Sequence, residues 1–133
     1  MPKSATAPHY HEAVEELLTV RASKWTVTVV LHLRSETRRF SELQREIGSI
    51  SQKTLTSTLR ALERDGFVSR TSYATIPPRV DYALTDLGRE ILDLFEAFER
   101  FASKHWHRVR AAREQFDLAA GEPPVFELKA TRR

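Results

Sequence analysis

Tyr10, Val14, Leu17 and Arg21 fall on one line at about 100° per residue, with Ala13 and Leu18 beside it, so the pattern predicts an amphipathic helix from Pro8 to about Arg21. Ser23 is placed to cap a second helix running from Lys24 to about Arg34. Its first half, Trp25-Thr26-Val27-Thr28-Val29-Val30-Leu31, is β-branched enough to suit a strand equally well, and propensity leaves both open. Arg38-Arg39-Phe40 reads as a short extended piece. Ser41, with Glu42 and Leu43, then opens a short helix that stops at Gly48, and Ser51 caps the next one.

That next helix, Gln52 to Asp65, has the sharpest pattern in the chain. Leu55, Leu59 and Leu62 form a narrow apolar stripe, while Lys53, Ser57, Arg60 and Arg64 gather on the opposite side with Thr56 at its edge and no acid among them. Gly66 closes the helix, and Phe67 to Tyr73 alternates as a strand. Val80, Tyr82 and Leu84 alternate likewise, predicting a hairpin around Ala74-Thr75-Ile76-Pro77-Pro78, whose prolines keep the tip from pairing with another edge. Thr85 caps a last helix from Asp86, in which Leu87, Ile91, Leu94, Phe98, Phe101, His105, Val109, Ala112 and Phe116 stay within about 40° of one line. Such a stripe lasts about 30 residues, or roughly 45 Å at 1.5 Å each, longer than a single small core. Packing between two subunits is the expected use of it, with folding back onto the first helix covering part.

The chain of 133 residues, 41% hydrophobic and 29% charged, suits one compact domain. We expect a flexible segment over 1–8, a domain over 9–116 with dimerisation helices 9–21 and 86–116, and a tail over 117–133 in which Val125 to Leu128 suits a short strand or a disordered run. The net charge is +3, and its placement is more telling than its size: residues 38–85 carry eight basic groups against five acidic, while the segments on either side each sum to zero. The absence of cysteine excludes thiolate metal sites and thiol redox switches. There is no apolar leader and no stretch fit to span a bilayer, so a soluble cytoplasmic protein is expected. Neither a nucleophile elbow nor a phosphate-cradling glycine loop is present, and the chain reads as no enzyme and as needing no cofactor. The pairs His9/His11 and His105/His107 point apart on a helix, so no metal site is expected.

Three helices followed by a hairpin is the order of a winged helix-turn-helix: mainly α with a small β-hairpin wing, extended here by a long C-terminal dimerisation helix. In that module the third helix enters the major groove, which asks for donors and cations without carboxylates on its outer face. Ser51, Gln52, Lys53, Thr56, Ser57 and Arg60 meet that demand. Arg39, Arg70 and Arg79 are placed to hold the phosphate backbone.

Four blocks in this order resemble the HxlR-type winged-helix transcriptional regulators over about Glu12 to Phe98. They are Lys24-Trp25; Arg39-Phe40-Ser41-Glu42-Leu43; the run Ile50-Ser51, Lys53, Leu55-Thr56, Leu59-Arg60, Leu62-Glu63 and Asp65-Gly66; and Pro77-Pro78-Arg79-Val80-Asp81-Tyr82, Leu84-Thr85 and Leu87-Gly88. The resemblance implies that the second segment is a helix opened by a core tryptophan, Trp25. It also implies a bacterial homodimer on double-stranded DNA, joined through the first and last helices, with Lys53, Thr56, Ser57 and Arg60 at the groove and Arg79 on the wing near phosphate. Three departures stand out. Glu12 occupies the place where many members carry a sensing cysteine, Ala22-Ser23 replaces a glycine pair, and Gln52 replaces a frequent proline, supplying a donor and acceptor for a base edge. Phe98, Phe101 and His105 are read as lining a pocket for a small-molecule effector between the last and first helices. A palindromic operator is expected, and the alternative is a winged helix used as a protein–protein interaction module.

Overall fold

The computed structural model describes residues 10–17 and 24–121. Five helices and three strands follow in the order α1 (Tyr10–Glu16), α2 (Lys24–His32), β1 (Arg38–Arg39), α3 (Phe40–Ile47), α4 (Gln52–Arg64), β2 (Val68–Tyr73), β3 (Arg79–Leu84) and α5 (Asp86–Ala120). The chain divides into two compact units, residues 1–95 and 96–133.

The first unit is built on a three-stranded antiparallel sheet in the order β1-β3-β2, with α2, α3 and α4 packed together. The third strand is a difference from expectation. Arg38-Arg39 does not stand alone but pairs with Tyr82 and Asp81, so β3 is central and the hairpin is anchored to the helix-turn-helix on its inner side. Phe40, expected to be extended, already belongs to α3. Val29, Val30 and Leu33 from the α2 segment, Leu43 from α3, Leu55, Leu59 and Leu62 from α4, and Val68, Tyr82 and Leu84 from the sheet form the core. The β-branched run of α2 is therefore helical because its 3.6-residue period places Thr26, Val29 and Val30 inside, which outweighs local propensity. Trp25 packs against this core half-buried rather than within it, and the Lys24 ammonium lies 4.7 Å from the centre of its ring.

Helix ends follow their capping residues. The Ser51 hydroxyl accepts the Thr54 N–H at 3.1 Å, as its position predicts. Gly66 ends α4 at φ +83°, a conformation that L side chains rarely adopt. Thr85 ties the next junction together: its hydroxyl accepts the Gly88 N–H at 3.0 Å and donates to the Gly66 carbonyl at 2.6 Å, while its own N–H donates to the Phe67 carbonyl. Gly88 sits so close to this junction that a Cβ there would run into the Phe67 carbonyl oxygen.

In α5 the residues that enter the core are Gly88 and Leu92, with Ile91 and Phe95 half-buried beside them. Gly88 and Leu92 lie roughly 100° or more around the helix from the line through Leu87, Leu94 and Phe98, which is exposed. The core therefore takes Ile91 from the long apolar stripe but leaves Leu94, Phe98, Phe101 and Phe116 exposed. The second unit continues this helix. It runs to Ala120 rather than stopping at Phe116, because Asp117-Leu118-Ala119-Ala120 contains no breaker and Gly121, at φ +65°, supplies the stop.

Tyr10, Val14 and Leu17 of the first helical segment are all exposed. The rest of that expected helix, the cap at Ser23, the segment 1–8, His9 and the strand expected at Val125–Leu128 lie outside the described residues. No helix among the described residues is long and apolar enough to cross a membrane.

Candidate nucleic-acid interface

The apolar side of α4 is sealed, with Leu55, Leu59 and Leu62 each at most 1% exposed, and this fixes which residues face outward. Gln52, Lys53, Thr56, Ser57 and Arg60 line one open recess of about 750 Å³ along the exposed side. The recess has no carboxylate in its lining. A second recess, at Arg60, Ala61, Glu63 and Arg64, brings the first acid of the helix to its C-terminal end. The Thr56 hydroxyl donates to the Gln52 carbonyl at 2.8 Å, so toward the recess it offers an acceptor oxygen and a methyl group. A methyl group and a free acceptor suit the thymine methyl and a base amino group; Gln52, Lys53 and Arg60 add donors to the same surface.

The wing arginines divide between two faces. Successive strand residues point to opposite sides, and Arg70 is paired with Tyr82 whereas Arg79 is paired with Tyr73. Arg70 therefore shares its side with the buried Tyr82 and donates to the Ser72 hydroxyl at 3.0 Å, beyond the edge of the core. Arg79 lies on the opposite side with Tyr73 and Asp81. Its guanidinium stacks 4.6 Å from the Tyr73 ring centre, and it donates to Asp81 Oδ2 at 3.2 Å. The sequence places both to hold the phosphate backbone, and the register puts them on opposite faces of the hairpin.

Arg39 joins the Arg79 side, since it pairs with Asp81. Thr37, Arg39, Ser41, Glu42, Arg45, Arg79 and Asp81 line a polar recess of about 430 Å³ there. Both acids in it are engaged: Asp81 with Arg79, and Glu42 by accepting the Arg39 N–H at 2.9 Å. That hydrogen bond holds the Glu42 carboxyl below its ordinary value; desolvation opposes it, and the guanidinium groups of Arg39, Arg38 and Arg45 add to the lowering. Arg45 is a member of this recess that sequence reasoning missed. It lies two residues from the buried Leu43, which places it on the outward side of α3, a signal that was available.

Phe98 and Phe101 are exposed on α5, and the Phe101 and His105 rings stand 5.0 Å apart, tilted by 51°.

A profile of the HxlR-like helix-turn-helix family matches residues 20–110, which span the sheet, the helix-turn-helix and most of α5. The chain belongs to this family. Among the proteins it resembles is the HTH-type transcriptional regulator YtfH of Escherichia coli (strain K12), 39% identical over 100 residues that cover 75% of this chain and 79% of that protein. The solved structure of the transcriptional regulator ytfH from Salmonella typhimurium matches with a TM-score of 0.67 at 38% identity, over 80% of this chain and 91% of that one. The redox regulator HypR in its reduced form matches with a TM-score of 0.70 at 33% identity, over 74% of this chain and 98% of that one. The protein is accordingly an HTH-type, DNA-binding transcriptional regulator, mostly helical with a winged helix and a long C-terminal helix, and its relatives are regulators rather than enzymes.

Proposed function

We propose that this HxlR-like regulator binds a palindromic operator as a homodimer in the cytoplasm. Ser51, Gln52, Lys53, Thr56, Ser57 and Arg60 enter the major groove, and Arg39, Arg79 and Arg70 hold the backbone. The observation that carries this reading is the carboxylate-free recess on α4, backed by a sealed apolar side that leaves it no orientation but outward. The dimer reading is supported by the unused face of α5, where Leu94, Phe98, Phe101 and Phe116 are all more than half exposed. Contiguous apolar surface of that kind marks an interaction site. Two half-sites about one helical turn apart, roughly 34–36 Å, follow from a two-fold dimer. Phe98, Phe101 and His105 are the proposed seat of an aromatic or carbonyl effector, supported by the neighbouring rings of the exposed Phe101 and the half-buried His105 on that face.

HypR is a redox regulator, whereas this chain carries no cysteine. A response through a cysteine thiol is therefore closed to this chain. The test is a gel-shift titration on the DNA upstream of the protein's own gene, with excess random competitor at two salt concentrations. Retention that survives competitor and weakens steeply with salt is expected, because phosphate contacts release counterions. Absence of binding even at low salt would contradict the reading and favour a protein–protein module.

A further inference from the structure

The apolar stripe of α5 is symmetric about its own middle. Leu94 and Val109, Phe98 and His105, and Leu87 and Phe116 each stand equally far on either side of a point between Phe101 and Ala102. Charge along the same helix changes sign close to that point: residues 86–99 carry five acids and one base, whereas residues 100–113 carry five bases and no acid. On one side of the stripe Glu90 and Arg108, five helical turns apart, lie in a single line, with Asp93 and Lys104 in another just beyond it. All four are exposed. Gly88, Leu92 and Phe95, which pack on the core, lie on the other side of the stripe. None of Glu90, Lys104 and Arg108 has an opposite charge three or four residues away on its own helix. Lys104 instead stands four residues from both Arg100 and Arg108, a like-charge spacing that destabilises a lone helix.

We propose that this stripe is covered by α5 of a second copy of the chain, running antiparallel and centred between Phe101 and Ala102, and that charge selects both the partner and its direction. The inference rests on the homodimer reading above and adds to it a register and a recognition code. In this register every stripe residue comes level with its symmetric counterpart in the second copy, Phe98 with His105 and Leu94 with Val109. A two-fold axis keeps each flank of the stripe on its own side, so Glu90 and Asp93 share a flank with the Lys104 and Arg108 of the second copy. At about 1.5 Å per residue, that Arg108 stands level with Phe95, roughly 3 Å along the axis from Asp93 and roughly 8 Å from Glu90, within the reach of an arginine. A parallel pair would set acid on acid and base on base. A chain without the same division of charge is rejected on the same ground, as flanking charges reject wrong partners in coiled coils.

The experiment uses the full chain without DNA and reads the dimer dissociation constant by sedimentation equilibrium. It compares the parent, an acidic variant (Lys104→Glu with Arg108→Glu), a basic variant (Glu90→Lys with Asp93→Lys) and an equimolar mixture of the two. Each variant alone sets like charges on both flanks and is expected to dimerise on the order of tenfold more weakly than the parent. The mixture is expected to form a heterodimer at the parent's affinity, and salt of about 1 M should bring all four samples together. Lys104→Gln with Arg108→Gln, which removes the charge without reversing it, is expected to fall between parent and acidic variant and serves as the reading if a reversal disturbs the helix. Variants that dimerise like the parent, or a mixture no tighter than its components, overturn the antiparallel charge code while leaving the homodimer reading intact. A parent that stays monomeric overturns the homodimer reading itself, and the code with it.

Discussion

In α4 the apolar residues Leu55, Leu59 and Leu62 are sealed in the core, and everything that distinguishes the helix lies on its polar side. In α5 the same spacing of apolar residues leaves Leu94 at 68% and Phe98 at 72% exposed, because the core takes hold of a different face through Gly88 and Leu92. The difference shows that an amphipathic pattern states only that a face needs covering. Where the fold covers it, the opposite face becomes the functional one. Where the fold leaves it bare, the apolar face itself is the candidate interface.

The largest effect that sharpens this contrast is expected from truncating the sealed face. Leu59→Ala should cost about 2–5 kcal/mol in urea unfolding, since its cavity is closed on all sides. Phe98→Ala, at an even larger apolar residue, should leave the unfolding of the winged unit unchanged and act instead on the concentration dependence of the melting temperature. Equal losses for the two substitutions would break the comparison. Next comes Gly88→Ala, where the added methyl meets the Phe67 carbonyl; about 1–3 kcal/mol is expected by the same unfolding measurement. Ser51→Ala should cost about 1 kcal/mol through the lost Thr54 cap.

The smallest effect concerns pH. Because the Glu42 carboxyl is lowered in the folded state, its contribution to stability is present above its ordinary value of 4.5 and is lost as pH falls through the lowered folded value. Glu42→Gln should flatten this part of the acid unfolding curve and leave neutral stability nearly constant across pH 6–8. An unchanged acid limb would show that the Arg39 N–H contact does not persist in solution.

Much of this was legible in the sequence, for reasons that differ by element. Helix α4 and its recess could be read because three leucines at helical spacing fix the orientation of every other residue on the helix, and Ser51 and Gly66 mark its ends. The doubtful α2 became a helix on the strength of the family resemblance, and packing explains why. Strand β1 could not be read as part of the sheet, since two residues have no periodicity and only their pairing with Tyr82 and Asp81 reveals them. The core-facing side of α5 was hidden for a related reason: a stripe followed over thirty residues outweighs a short contact made by a glycine and a leucine. The separation of Arg70 from Arg79 needed the hairpin register, which a five-residue loop does not specify.

The division of labour between the polar side of α4 and the bare side of α5 is tested most directly by the mass of the protein–DNA complex at saturation, measured for the parent and for Phe98→Glu on the same selected duplex. The account predicts two chains per duplex for the parent and one chain, more weakly held, for the variant, with Arg60 still required by both. A single chain per duplex for the parent, or two chains for Phe98→Glu at the parent's affinity, would contradict it.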